Sequence, residues 1–467
     1  MSPLGCLRQQ QLCVLVVQTL LLRLGRMEPA CLLGVIADDY TGGSDVAAML
    51  SEHGAGAVLV FGLQDAGFVE ELRGRYQAAV ICLKSRSNPA VEARRQAIEA
   101  LRLLELLAPR QIHFKYCSTF DSTPEGNIGP VIDALMSRMG IDFTVAVPAL
   151  PVNERTQYLG HLFVGPQLLS ESHMRHHPVT PMTDSNVVRL LQAQTERRVG
   201  LIPLQAVQAG AGRLAAEIER ARQSGVEIAL VDAVSNADVA NIAEASASAD
   251  LRLITGSSAL PMCLPAVWRS RGWLAAPPDP GPAEEAGGRT PPVLVLSGSC
   301  AASTLRQVEE LRVSGCRCEA MDVARLVQGQ AGAELDRLYD RLRTEVITAG
   351  AAAVVASADH QTREQTRRAL SAEQAAALPR AIEAAFGELA RRFAAHGVER
   401  LVIAGGETAG AVIDALGIRA VEVTAVLDPG VPAVRAIGGP SLRLALKSGN
   451  FGSADFFPRA IRCLWRA

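Results

Sequence analysis

Short apolar runs that stop at a polar or glycine-rich turn and give way to a helix-like stretch recur along the chain, and this alternation restricts the fold more than any other feature. The first instance sets the pattern. Leu32 to Ala37 is apolar, Asp38 to Gly43 is small and polar, Ser44 to His53 has helical character, and Ala57 to Phe61 is apolar again. Similar runs follow at Ala79 to Leu83, Ile112 to Tyr116, Phe143 to Pro148, Glu227 to Val231 and Leu251 to Ile254, most of them separated by segments such as Val91 to Leu107. Such runs read as buried parallel strands, and parallel strands need crossovers that are usually helices. The expected class is α/β, each domain a mostly parallel sheet flanked by helices, with the active site in the cleft between domains.

A chain of 467 residues is too long for one ordinary core. The break falls between Ala275 and Pro292, a stretch with six prolines and no apolar period. Beyond it the alternation restarts at Val293 to Leu296 and continues through Ala352 to Ala356, Leu401 to Ala404 and Leu442 to Leu446. The expected division is an N-terminal extension over 1–31, a substrate domain over 32–274, a Pro-rich linker over 275–292 and a nucleotide-binding domain over 293–467.

Within the extension, Leu12 to Leu22 imitates a signal sequence, but Gln18 interrupts it and no small-x-small cleavage site follows. At about 11 residues it is also too short to span a bilayer. The plainer reading is a start set too early, with Met27 a few residues before the first strand. Ten cysteines are dispersed with no CxxC pair, which fits reduced thiols and a cytoplasmic protein. With 46 basic against 48 acidic residues there is no field to favour nucleic acid, and no membrane partner is expected.

Candidate chemistry sits where strands end. Asp38-Asp39-Tyr40-Thr41-Gly42-Gly43 places two carboxylates at the carboxyl end of the first strand, where ligands of open α/β sheets bind. Either carboxylate can serve as general base or magnesium ligand, or cap the following helix. Lys84 and Arg86, then Lys115 and Asp121, then Arg155, lie in polar loops after later runs, and the cations suit a carboxylate or phosphate ligand. The loop Ser172 to Asp184 holds three histidines, yet His176 and His177 are adjacent and no HxH or HExxH pattern supplies matched ligands, so it reads as a substrate-contacting or inter-subunit loop.

Past the linker, Ser297-Gly298-Ser299, Gly405-Gly406-Glu407-Thr408 and the loop around Gly449 bring glycines to strand ends and helix starts, where backbone N–H groups can approach phosphate. No GxxxxGK[ST] occurs, so an ATP site here is not of the Walker type. Gly210-Ala211-Gly212-Arg213-Leu214-Ala215 with Asp232 imitates a dinucleotide fingerprint, but the preceding strand candidate contains Pro203 and does not run into Gly210.

Taken together, Gly34 to Gly42, Leu83 to Ser87, Phe114 to Asp121, Gly126 to Pro130, Pro148 to Asn153 and His177 to Asn186 resemble the four-carbon acid sugar kinases, and among them the 3-oxo-tetronate kinases; Ser297 to Cys300, Gly405 to Thr408 and Lys447 to Gly452 extend the resemblance to roughly residues 32–458. It implies ATP-dependent transfer to the C4 hydroxyl of a 3-oxo-tetronate. It also implies ATP contacts at Ser297 and the Gly405 to Thr408 loop with Gly449 nearby. A homodimer is compatible with it. The residues themselves set the remaining expectations: Asp39 or Asp38 at the hydroxyl, Arg86 or Lys84 at the substrate carboxylate, and Mg²⁺ bridging the phosphates. The other expectations to be weighed are an NAD-dependent hydroxy-acid dehydrogenase and a non-catalytic sugar-acid sensor.

Overall fold

The structure is a computed structural model and describes residues 31–177, 180–275, 291–356, 365–366 and 368–466. Residues 1–30 of the extension and 276–290 of the linker lie outside the described residues. The first half carries β1 (Leu33–Ala37), β2 (Ala57–Phe61), β3 (Ala78–Cys82), β4 (Gln111–Lys115), β5 (Thr144–Val147), β6 (Arg155–Tyr158), β7 (His161–Val164), β8 (Gln167–Leu168), β9 (Val199–Ile202), β10 (Ile228–Val231) and β11 (Leu253–Gly256). The second carries β12 (Val293–Ser297), β13 (Arg317–Ala320), β14 (Ala351–Val355), β15 (Arg400–Ala404), β16 (Ala420–Asp428), β17 (Val431–Ile437) and β18 (Arg443–Lys447). Five helices matter for the site: α1 (Tyr40–Glu52), α2 (Ala90–Glu105), α3 (Ile128–Met139), α4 (Ala259–Ser270) and α5 (Gly406–Ala415).

Every residue of β1, β2 and β3 is buried, which is why these strands are apolar throughout rather than alternating. Ala37 pairs with Cys82 on one side and Lys115 on the other, and Lys115 with Gly256, so four strand ends are level and deliver their loops to one edge. The α/β expectation holds in both halves, with one difference. The two parallel blocks do not form separate sheets; they join in one 15-stranded sheet through the antiparallel hairpin β16–β17, with β16 paired to β2 and β17 to β18.

That junction sets the site. Counted through the antiparallel pairs, the blocks run in opposite senses, which on a flat sheet would put their carboxyl-end loops on opposite edges. From β1 to β15 there are six neighbour steps, and a twist of roughly 20–25° per step accumulates to roughly 120–150°, nearly restoring a common direction. Register shifts at Val423/Ala425 and Val426/Asp428 add local twist. The carboxyl-end loops of both blocks therefore meet.

The dinucleotide-like segment resolves as structure. A short helix, Leu204–Gln208, intervenes between β9 and Gly210, which has φ 94°. Asp232 is fully buried and its carboxylate accepts from Leu159 N (2.7 Å), Gly160 N (3.0 Å), Gln157 Nε2 (3.1 Å) and Leu204 N (3.2 Å), anchoring the small sheet β6–β7–β8. It has no capacity left for a ribose. Among the described residues no helix is long and apolar enough to cross a membrane.

His113, in the middle of β4, is fully buried and faces Ser257 O at 3.0 Å, while its Nδ1 has no partner. Burial, helped by the charge of Lys115, pushes its pKa from 6.5 down to about 3. Below pH 6.5 the unfolded chain takes up a proton that the folded chain refuses, so this contribution to stability is present above 6.5 and drains away towards pH 3. We expect His113→Gln to flatten the fall in unfolding free energy over that interval, measured by denaturant titration at a series of pH values.

Candidate active site

The strand β1 ends in two carboxylates with different environments. Asp39 is the N-cap of α1: its Oδ1 accepts from Gly42 N at 2.7 Å. Asp38 is buried and receives both Nε (2.9 Å) and Nη2 (2.8 Å) of Arg86, whose Nη1 also reaches Asp39 Oδ2 at 2.9 Å. Side-chain exposure separates the two, 6% for Asp38 and 27% for Asp39. Burial works against the Arg86 charge, yet Asp38 and Asp39 hold its pKa well above the usual arginine value. Asp39 is held above the ordinary carboxylate range, because burial outweighs the attraction of Arg86 and Lys115.

A cavity of about 360 Å³ opens over this pair. Asp38, Asp39, Lys84, Arg86 and Asp121 line it from the first block, and Gly406, Glu407 and Gly410 of α5 close it from the second. His177 and Thr180 also line it, with Thr180 Oγ1 2.9 Å from His177 Nδ1, so the histidine loop faces the cavity. Lys84 Nζ reaches Asp414 Oδ2 of α5 at 2.7 Å, a half-exposed pair, and lies 4.8 Å from the Tyr40 ring centre. Lys115 and Arg155 do not line the cavity. Lys115 is buried behind Asp39, and Arg155 sits on β6 with its guanidinium donating to Asn153 O.

Two amide side chains brace the wall. Asn127, at the start of α3, donates through Nδ2 to Ser85 O (2.9 Å), Arg86 O (3.1 Å) and Asn88 O (3.0 Å). Gln194 accepts from Gly129 N at 2.9 Å and donates to Thr123 O at 2.7 Å and Ser122 Oγ at 2.9 Å. A β-carbon at Gly129 would stand 2.6 Å from Gln194 Cβ, so the Gly126 to Pro130 motif is a weld between the loops carrying Arg86 and Asp121. Asn127 entered the sequence reading only as part of the Gly126 to Pro130 motif and Gln194 did not stand out at all, because each bonds other protein groups rather than a ligand. Asn127→Ala removes three hydrogen bonds to the Arg86 loop, of whose carbonyls Ser85 O keeps the bond from Asn88 N, and we expect kcat to fall on the order of tenfold with a lowered Tm.

The second cavity, about 630 Å³, lies on the nucleotide-block side and is mostly apolar. Gly298, Glu407 and Thr408 form its polar end, and Val323, Pro379 and Ile382 belong to its apolar wall. Glu407 borders both cavities, which places them next to each other. Ser297, Ser299, Gly405 and Gly449 pack as a layer beneath: Gly405 N donates to Lys447 O at 2.8 Å, and a β-carbon at Gly449 would stand 2.6 Å from Ser299 Oγ. Gly405 has φ 121°, which other residues rarely adopt, and its turn aims the N-terminus of α5 at the first cavity. Lys447 is buried, donates to Thr304 Oγ1, Ser448 O and Gly449 O, and burial lowers its pKa to about 8.

The chain is similar to known proteins over most of its length. Residues 33–264 match a sugar-binding N-terminal domain model and residues 294–457 a nucleotide-binding C-terminal domain model. A 3-oxo-tetronate kinase of Cupriavidus necator is 43% identical over 93% of this chain and 97% of its own length, and one of Salmonella typhimurium 41% identical over 92% and 98%. Among solved structures, one from Salmonella typhimurium LT2 matches with a TM-score of 0.80 and 40% identity, covering 92% of this chain and 98% of that one. A Haemophilus influenzae protein matches with 0.74 and 39%, covering 91% and 98%. Both domains, in this order and over most of its length, make this chain a member of the four-carbon acid sugar kinase family.

Proposed function

We propose that the protein is an ATP-dependent kinase that phosphorylates the C4 hydroxyl of a 3-oxo-tetronate, of the 3-dehydro-erythronate or -threonate type, in carbohydrate-acid catabolism. The observation that carries the reading is Glu407 and the start of α5 standing between a polar, charge-lined cavity and an apolar one. The similarity to 3-oxo-tetronate kinases supplies the substrate class. In this reading the sugar acid occupies the first cavity and ATP the second, with the γ-phosphoryl group crossing at the N-terminus of α5, whose free N–H groups favour anionic oxygens.

Asp39, the more exposed carboxylate, accepts the proton of the C4 hydroxyl as it attacks the γ-phosphorus, and ADP leaves. Asp38 orients Arg86, and Arg86 holds the Asp39 carboxylate in place. Arg86 is committed to that pair, so Lys84, in a solvent-reachable ion pair, is the cation that the substrate carboxylate can recruit. Among the described residues no three His, Cys, Asp or Glu side chains come together as metal ligands. Mg²⁺ accordingly belongs to the substrate, MgATP, and no residue is assigned to it.

The test is an ADP-release assay across the tetronate and 3-oxo-tetronate stereoisomers, with the product located by phosphorus NMR. ADP formation with a 4-phosphate ester from a 3-oxo-tetronate is expected. Sugar-acid binding without ADP release would make the protein a sensor, and a nicotinamide-dependent absorbance change without ATP would make it a dehydrogenase; either would overturn the reading.

A further inference from the structure

Behind the cavity wall lies a second set of charges, enclosed by protein. Lys115, at the end of β4, is 4% exposed and donates to Tyr116 O at 2.9 Å. A β-carbon at Gly42 would stand 2.5 Å from Asp39 Oδ1 and 2.8 Å from Lys115 Nζ, so only glycine lets the carboxylate and the ammonium close on the same point. Asp45, on the buried side of α1, is 7% exposed; its Oδ2 accepts from Ser258 of the α4 start, while its Oδ1 is buried with no partner.

Three carboxyl groups, Asp38, Asp39 and Asp45, thus lie around two cations, Arg86 and Lys115. Arg86 is held by the first two. Lys115 is the cation left to balance Asp39 and Asp45, and it lowers the proton affinity of both while burial raises it.

We propose that Lys115 is a positioning residue and not a substrate ligand: from behind the wall its charge keeps the Asp39 carboxylate ionised, and Asp45 is the buried counter-charge that limits this effect. The proposal rests on the reading of Asp39 as the proton acceptor. The other groups that face Asp39 are Asp38 on its own turn, Arg86 from the loop before α2, Cys82 at the end of β3, and Lys84, Asp121, His177 and Glu407 around the cavity. Unlike the charged groups of that set, Lys115 and Asp45 do not line the cavity, so their effect is constant through the reaction cycle.

Opposite charges behind one carboxylate must move it in opposite directions. In the full chain labelled with ¹³C at aspartate carboxyls, the Asp39 resonance is identified by its loss in Asp39→Asn and titrated without substrate. Lys115→Met is expected to raise its midpoint by about one pH unit or more, and Asp45→Asn to lower it. The acid limb of kcat should move the same way, Lys115→Met should regain kcat as pH rises, and the sugar-acid KM should stay within about threefold. Shifts of the same sign, no shift, or a tenfold rise in KM with an unmoved midpoint would overturn the proposal. If Lys115→Met does not fold, the isosteric Asp45→Asn carries the test alone, and an Asp39 midpoint that fails to fall overturns it. Opposite midpoint shifts with an unmoved kcat profile would uphold the electrostatic role and overturn Asp39 as the base.

Discussion

Asp39→Asn is expected to lower kcat by about 10² or more while the sugar-acid KM changes only a few-fold, because general-base assistance typically contributes 10² to 10⁴ and is expressed in the transition state. Asparagine keeps the size of the side chain and can still accept from Gly42 N, so the α1 cap survives; it gives up the bond from Arg86 Nη1, while Asp38 still holds Arg86 through both oxygens. The informative partner is Asp38→Asn. Asp38 is buried and holds Arg86 through both oxygens, so the amide cannot accept two guanidinium bonds and leaves a buried charge short of its counter-ion. That variant should show a clear drop in Tm together with lost activity, whereas Asp39→Asn should melt close to wild type. Near wild-type kcat for Asp39→Asn at saturating MgATP would make the pair structural and remove the proposed base.

Most strands of both parallel blocks were legible because buried parallel strands are apolar without alternation, as in Leu33 to Ala37 and Val293 to Leu296, whereas the partly exposed edge strand β13 was not. The hairpin β16–β17 was not. Ala420–Asp428 is buried only at its start and Arg435 is exposed, so the segment lacks the uninterrupted apolar run that marked the other strands. Missing it hides the fact that one sheet runs through both domains. At the site, residue types at strand ends located Asp38, Asp39, Lys84, Arg86 and Asp121 around one cavity. Sequence order could not tell a side chain that faces the cavity from one that faces away. Lys115 ends its strand as Ala37 does, yet points behind Asp39, and Arg155 follows a strand but belongs to the small second sheet. The contacts of Thr41 with Gly406 and of Lys84 with Asp414 join residues more than 300 positions apart, and nothing local announces them.

The Thr41–Gly406 contact predicts a large effect that separates two roles for the same glycine. If Gly406 serves only to admit phosphate, a side chain there should weaken ATP binding. In the structure a β-carbon at Gly406 would overlap Thr41 Oγ1 across the junction of the two blocks, while the apolar cavity is reached through Glu407 and Thr408 instead. The overlap obstructs the approach of α5 to the Asp39 turn. Overpacking of this kind typically costs about 1–3 kcal/mol, so Gly406→Ala is expected to lower kcat/KM about tenfold and Gly406→Val about 10² or more, with ATP affinity by calorimetry nearly unchanged. Thr41→Ala removes the overlapping oxygen, and Thr41 Cβ would then stand 3.8 Å from the new methyl, an ordinary contact. Gly406→Ala/Thr41→Ala should therefore recover most of what Gly406→Ala loses, a non-additivity that neighbours in contact show and independent sites do not. A double variant no better than Gly406→Ala, or a loss that falls mainly on ATP affinity, would mean that the glycine cradles phosphate and that closure of α5 on Thr41 does not limit the reaction.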